Sequence, residues 1–426
     1  MILTILLVFL FLIILGIPVA FVLVSTGIYV MLAQGIFNPV IVSHNMYSGL
    51  DQFAFLAIPF FILAGEIMGE AGLTTRLMNF AYSLVGRFAG GLAHVAVLVA
   101  MIFAAMSGSS VATTAAVGAL LLPDMVKKGY GKGFSASLVA ASGAIGPIIP
   151  PSIPMILYAV IAGQSVERMF LGGIVPGIIY GLMLMIYATY YAKKNKLPKD
   201  ETKFEFKEFG INLKDAFLPL LTPVIIMGGI LSGVFTATES AVVTVAYSLF
   251  LGLVVYKSIK TRDLSKIFLK AARSTASIMM ILAASAVLNW VLTSQQIPQQ
   301  VANQIAAMSN DPTIVMLLLM GFVLVLGCFM DATAIILLIT PIAIVVLNQY
   351  NIDLAYFGVM IVINVCIGAL TPPVGANLFV ASRISNTSLV DISKSVIPLV
   401  LSAVVLLIAC VLFPNIIMFL PNLILT

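Results

Sequence analysis

The stretch Gly146-Pro147-Ile148-Ile149-Pro150-Pro151-Ser152 interrupts an apolar run, 133–163, otherwise long enough to cross a bilayer. A second Pro-Pro, in Leu370-Thr371-Pro372-Pro373-Val374-Gly375-Ala376-Asn377, interrupts the run 354–385. Proline lacks a backbone N–H and clashes with the preceding turn, so both helices should break there. Non-helical backbone at membrane depth is tolerated only inside protein or along a wet cavity. Two such breaks mark two specialised places in the chain.

That the runs lie in lipid follows from composition. The 426 residues are 62% apolar and 9% charged, with a mean hydropathy of +1.17. A soluble domain carries about a quarter charged residues. The net charge of +5 comes without a basic stripe interleaved with aromatics, so no nucleic-acid partner is expected. Met1 to Leu15 has no basic leader region or small-residue cleavage site and reads as a first span. Cys328, Cys366 and Cys410 stand apart in apolar stretches, against a disulfide or zinc site.

Each break follows a pair of short apolar runs, 92–106/110–126 and 313–329/332–348. A helix of about 15 residues is roughly 22 Å long, short of the roughly 30 Å hydrocarbon core. Each pair therefore reads as a re-entrant hairpin. The tips are Ser107-Gly108-Ser109-Ser110, followed by Thr113 and Thr114, and Gly327-Cys328-Phe329-Met330-Asp331-Ala332-Thr333. Spans at 1–15, 18–36 and 50–70 and a polar connector, 71–91, precede the first unit. Spans at 214–232, 236–256 and 274–293 and a connector, 294–312, precede the second. With 168–192 and 395–415, this predicts an all-α integral membrane fold of two repeats. It has about ten full spans plus two re-entrant hairpins.

Charge sets the orientation. With both termini in the periplasm of a bacterial inner membrane, every Lys and Arg except Arg168 falls in the cytoplasm, as the positive-inside rule demands. These include Lys127, Lys128, Lys132, the runs Lys193 to Lys214 and Lys257 to Arg273, and Arg383 and Lys394. Hairpin one then opens to the cytoplasm. Hairpin two, whose mouth holds Asp311 and Asp353, opens to the periplasm. The repeats are expected to be inverted.

Unwound carbonyls and helix C-termini suit a small cation, and helix N-termini attract a carboxylate. The pattern predicts at least two pseudo-symmetric cation sites, each a hairpin tip with its break, and an anionic solute between them. Neutral hydroxyls and carbonyls favour sodium over a titrating proton carrier. The candidate cation residues are Gly108, Ser109 and Gly146 in one half. In the other they are Asp331, Thr333, Gly368, Thr371, Pro372 and Asn377. Ser110 is a candidate solute contact. Each piece alone has a plain alternative: Ser-Gly-Ser-Ser as a helix-packing patch, Pro-Pro as a kink, Asn377 as an interhelical hydrogen bond. Asp331 either balances a charge or caps the second hairpin arm. Glu239 reads as a first-turn partner of a Thr236 or Thr238 cap. Glu66 and Glu70 read as scaffold contacts, and Trp290 as an interface anchor.

The chain resembles the large membrane subunit of the tripartite ATP-independent periplasmic (TRAP) transporters. Five ordered motifs carry the resemblance: Ile58-Pro59-Phe60-Phe61-Ile62-Leu63-Ala64-Gly65, Ser107-Gly108-Ser109-Ser110-Val111-Ala112-Thr113, Ile149-Pro150-Pro151-Ser152-Ile153, Gly233-Val234-Phe235-Thr236-Ala237-Thr238-Glu239 and Thr371-Pro372-Pro373-Val374-Gly375. It departs at Ala237, where the family often has Pro. The resemblance implies an elevator carrier coupled to sodium, supplied by a periplasmic solute-binding protein and paired with a small four-helix membrane subunit. Because the chain begins at its first span, that subunit is expected to be separate.

Scaffold and arm would then occupy 1–91 and 214–312, transport elements 92–166 and 313–386, a connecting span and loop 167–213, and a last span 387–426. The implied solutes are organic acids, including C4-dicarboxylates and sialic acid. The stretch from Gly146 to Met155 is most similar to sialic-acid members. By the same resemblance Ser107, Ser152 and Asp331 contact the solute. A self-sufficient sodium/dicarboxylate symporter is the alternative. An enzyme is not expected, because His44 and His94 are isolated and intramembrane chemistry needs a ligand cluster or a Ser–His pair. Nor is a channel, since closed hairpins facing opposite sides suit alternating access.

Overall fold

The computed structural model describes residues 2–197 and 205–425. Lys199 and Lys203 of the basic run, and both terminal residues, lie outside it. Every regular element among the described residues is helical. The first half runs α1 (Ile2–Ile14), α2 (Val19–Ala33), α3 (Pro39–Ser48), α4 (Ala57–Glu70), α5 (Leu73–Val85), α6 (Gly91–Ser107), α7 (Ser110–Lys127), α8 (Lys132–Gly143), α9 (Ile153–Ala162) and α10 (Val166–Lys194). The second half runs α11 (Phe206–Leu231), α12 (Ala237–Phe250), α13 (Thr261–Ser294), α14 (Ile297–Met308), α15 (Pro312–Gly327), α16 (Ala332–Gln349), α17 (Leu354–Gly368), α18 (Ala376–Ser385), α19 (Leu389–Leu412) and α20 (Asn415–Ile424).

The two pairs of short runs form helical pairs, α6/α7 and α15/α16, and both Pro-Pro stretches break their helices, between α8 and α9 and between α17 and α18. Both Pro-Pro bonds are cis. Among the described residues, seven helices are long and apolar enough to cross a membrane singly. At 13 and 15 residues, α1 and α2 are not among them. The polar connectors 71–91 and 294–312 differ from expectation, since each contains an amphipathic helix. In α5, Leu73, Leu77 and Ala81 recur every fourth residue and are buried along one face. In α14, Ile297, Pro298 and Ala302 are buried. Neither α3 nor α20 is expected from the sequence; Pro39 stands at the first position of α3, where proline is tolerated, and Pro421 inside α20.

Side-chain pairs tie distant elements together. Lys270 on α13 meets Glu66 on α4 at 2.6 Å. Arg168 at the start of α10 meets Asp353, the N-cap of α17, at 2.8 Å. Nearby, the Tyr158 hydroxyl donates to the Leu354 carbonyl at 2.7 Å, joining α9 to α17. Thr236 caps α12 in a reciprocal box with Glu239, and Trp290 packs beside Val30, Met31 and Val291.

Candidate functional site

Each hairpin tip rests on the break of its own half. In the first half α6 ends in Gly108, whose φ of 61° suits a residue without Cβ. A methyl there would come within 2.6 Å of the Pro151 carbonyl oxygen, and one on Gly146 within 2.8 Å of the Ser109 oxygen. Ser109 then starts α7, its hydroxyl accepting from the Ala112 N–H at 3.3 Å. In the second half, a methyl on Gly368 would lie 2.6 Å from the Gly327 Cα, and the Val374 N–H donates to the Cys328 carbonyl at 3.2 Å. Small residues let backbone approach backbone where lipid supplies no hydrophobic drive.

Asn377 joins the two halves. It is fully buried just inside α18. The Ser110 hydroxyl donates to its Oδ1 at 2.7 Å, and its Nδ2 donates to the Ala140 carbonyl on α8 at 3.1 Å. Its backbone N–H bridges the break to the Ala369 carbonyl at 3.2 Å. One side chain from the second break thus holds the first hairpin and the helix leading into the first break.

Between the tips lies a cavity of about 200 Å³. Of the sequence-selected residues, Gly108, Ser109, Ser110, Asp331, Thr333 and Gly368 line it. Ser110, Ile153, Ala332 and Ala376 on its wall are the first residues of α7, α9, α16 and α18. Four helix N-termini therefore converge, each carrying about half a positive charge. Three helix C-termini reach the same space at Gly108, Gly327 and Gly368. The cavity offers N–H dipoles to an anion and carbonyl oxygens to a cation.

Asp331 supplies a carboxylate to this wall. It is the N-cap of α16, its Oδ1 accepting from the N–H groups of Thr333 at 2.8 Å and Ala334 at 3.3 Å. Its Oδ2 has no hydrogen-bond partner among the described residues, and the residue is exposed. Capping and an outward-facing oxygen therefore coexist in one side chain.

The other selected residues lie off the cavity wall. Ser107 is buried, its hydroxyl 3.1 Å from that of Thr113. Ser152 is buried and caps α9 through the Met155 N–H at 3.2 Å. Gly146 is buried under the first tip. Thr371 donates to the Ile367 carbonyl at 2.8 Å and, with Pro372, faces a separate groove beside α19. Sequence reasoning passed over Met330, Val365 and Ile278, which also line the cavity. Apolar residues within apolar runs carry no signal that separates a cavity wall from core.

The hydroxyl-bearing Ser109, Ser110 and Thr333 share a largely apolar wall, and no group of three or more His, Cys, Asp or Glu gathers among the described residues. The oxygen donors on this wall are thus neutral hydroxyls and backbone carbonyls together with the one carboxylate of Asp331.

A family model described as the DctM component of tripartite ATP-independent periplasmic transporters matches residues 6–416. The sialic acid TRAP transporter large permease protein SiaM of Vibrio cholerae is 37% identical over 411 residues, covering 96% of this chain and 95% of that protein. The 2,3-diketo-L-gulonate TRAP transporter large permease protein YiaN of Escherichia coli is 38% identical, covering 94% of each. The C4-dicarboxylate TRAP transporter large permease protein DctM of Pseudomonas aeruginosa is 38% identical, covering 89% of this chain and 88% of that one. Among solved structures, the Alcanivorax borkumensis YdaH transporter aligns with a TM-score of 0.50 at 12% identity, covering 88% of this chain and 86% of that one. That likeness concerns the fold alone.

Proposed function

Because the chain belongs to the DctM component family of tripartite ATP-independent periplasmic transporters, we propose that it carries an organic acid inward across the bacterial inner membrane, driven by sodium. The observation that carries this reading is the meeting of four helix N-termini and three helix C-termini around one cavity. A carboxylate would sit against the N-termini, and sodium ions, as co-transported cargo, against the carbonyl ends and hydroxyls. Asp331 would hold a solute hydroxyl or balance an ion through its outward oxygen.

The hairpins and broken helices form the moving part of an elevator, and the helices before them the scaffold. The two repeats are inverted, both termini are periplasmic, and the basic link between α10 and α11 is cytoplasmic. Three relatives are named for a sialic acid, a diketo sugar acid and a C4-dicarboxylate. Their shared chemistry supports a carboxylate solute of the sialic acid or C4-dicarboxylate class. A tripartite system supports two partners, a small four-helix membrane subunit and a periplasmic solute-binding protein. Delivery by such a protein accords with the short connection at Val234–Phe235, which has no room for a solute-capturing domain of roughly 50 residues or more.

The test is uptake of labelled acids into liposomes holding the chain and its small subunit, with and without loaded binding protein. We expect uptake only with an inward sodium gradient and the matched binding protein. A proton-driven, sodium-independent rate of similar size would reject sodium coupling. Strong uptake by the chain alone would establish the self-sufficient symporter instead.

A further inference from the structure

The two breaks differ in what covers them. Break one is buried almost throughout 144–152, whereas Pro372, Pro373 and Val374 of break two are exposed at its outer side. They border a groove of about 650 Å³ running between the break, Leu378 and Phe379 of α18, and the face of α19 from Leu389 to Leu401. The 10 residues of α18 place break two about 15 Å from the α18–α19 link, roughly half of the hydrocarbon core. Helix α19 is apolar enough to span, and Val390, Ile397 and Leu401 on its groove side are exposed. The groove thus faces lipid.

Unwound backbone facing lipid is costly when its N–H groups are bare. Here Pro372 and Pro373 have none, the Thr371 N–H donates to the Gly368 carbonyl at 2.9 Å, and the Val374 N–H to the Cys328 carbonyl at 3.2 Å. The donors of 371–374 are all absent or satisfied, so an apolar occupant meets no orphan donor. Five residues in from Leu389, Lys394 lies in the second turn of α19 on the groove rim, exposed and without an ion pair or hydrogen bond among the described residues. From Lys394 to Leu401 the helix rises about 10 Å, room for the upper part of an acyl chain.

We propose that this groove is a phospholipid seat, in which one acyl chain lies along α19 against break two and Lys394 pairs with the headgroup phosphate. Apolar walls and a single lysine in the half of the groove nearer the α18–α19 link match that occupant. A helix of another protein would leave Lys394 to be desolvated or paired separately. The seated chain would shield the lipid side of the segment whose opposite side lines the cavity at Ala369 and Gly375.

The experiment is photolabelling of the full chain in phosphatidylcholine liposomes doped with phosphatidylglycerol bearing a diazirine on one acyl chain. Adducts are mapped by peptide mass spectrometry. Val405, Ile408 and Leu412, equally exposed further along α19, serve as internal reference. We expect adducts to concentrate on Val374, Phe379, Ile397 and Leu401 relative to that reference. Lys394→Gln should lower the ratio about fivefold, the effect of one basic residue near an anionic headgroup. Uniform labelling along α19 would mean ordinary boundary lipid and overturn the proposal. A ratio unmoved by Lys394→Gln would overturn it as well.

Discussion

The Ser110 hydroxyl donates a 2.7 Å hydrogen bond to Asn377 Oδ1, linking the first hairpin tip to the second broken helix. The same amide holds the Ala140 carbonyl through its nitrogen. This one side chain thus ties the second break to both the first hairpin and α8.

Asn377→Ala removes both bonds from a fully buried position. The expected loss is about 1 kcal/mol, typical of side-chain hydrogen bonds between membrane helices. It should appear as a lower thermal midpoint in detergent and a weaker apparent sodium affinity in uptake. An unchanged sodium dependence would separate the amide from ion binding.

Asp331 has two jobs that substitution can separate. Asn is as good a cap as Asp, so Asp331→Asn should keep α16 and the thermal midpoint while abolishing or strongly reducing uptake. Asp331→Ala should also lose about 1 kcal/mol of stability through the missing cap. Near-normal uptake by Asp331→Asn would leave the carboxylate with capping alone.

Gly368→Ala would place a methyl 2.6 Å from the Gly327 Cα, where backbone must shift. Overpacking of this kind costs about 1–3 kcal/mol, read as a fall in thermal midpoint and reduced uptake. Gly321→Ala, with open space around its Cβ, should leave both unchanged or stabilise slightly.

Sidedness is tested by single cysteines at Lys128 and Asp311, in a background lacking Cys328, Cys366 and Cys410. Impermeant thiol reagent should label the first from the cytoplasm and the second from the periplasm. Labelling of both from one face would overturn the inverted arrangement.

Most helices were legible in the sequence because their causes are local. Pro150-Pro151 and Pro372-Pro373 break helices wherever the chain goes, since a missing N–H and a ring clash need no tertiary partner. The short apolar pairs announced hairpins by length alone. The amphipathic α5 and α14 were lost in segments that read as polar connectors, because a one-sided apolar stripe barely raises local hydropathy.

The site divided along the same line. Sequence alone determined that the chain lives in lipid, which segments unwind there, and that hydroxyls, glycines and one carboxylate accompany them. These follow from composition and backbone chemistry. Only the tertiary structure decided where those groups point: Gly108, Ser110 and Asp331 onto the cavity, Ser107 onto Thr113 and Ser152 into its own helix cap behind it. It also decided that Asn377 reaches Ser110 and Ala140. A buried hydroxyl or amide takes whichever partner packing brings within about 3 Å, and packing between distant helices is not written in any one stretch of the chain.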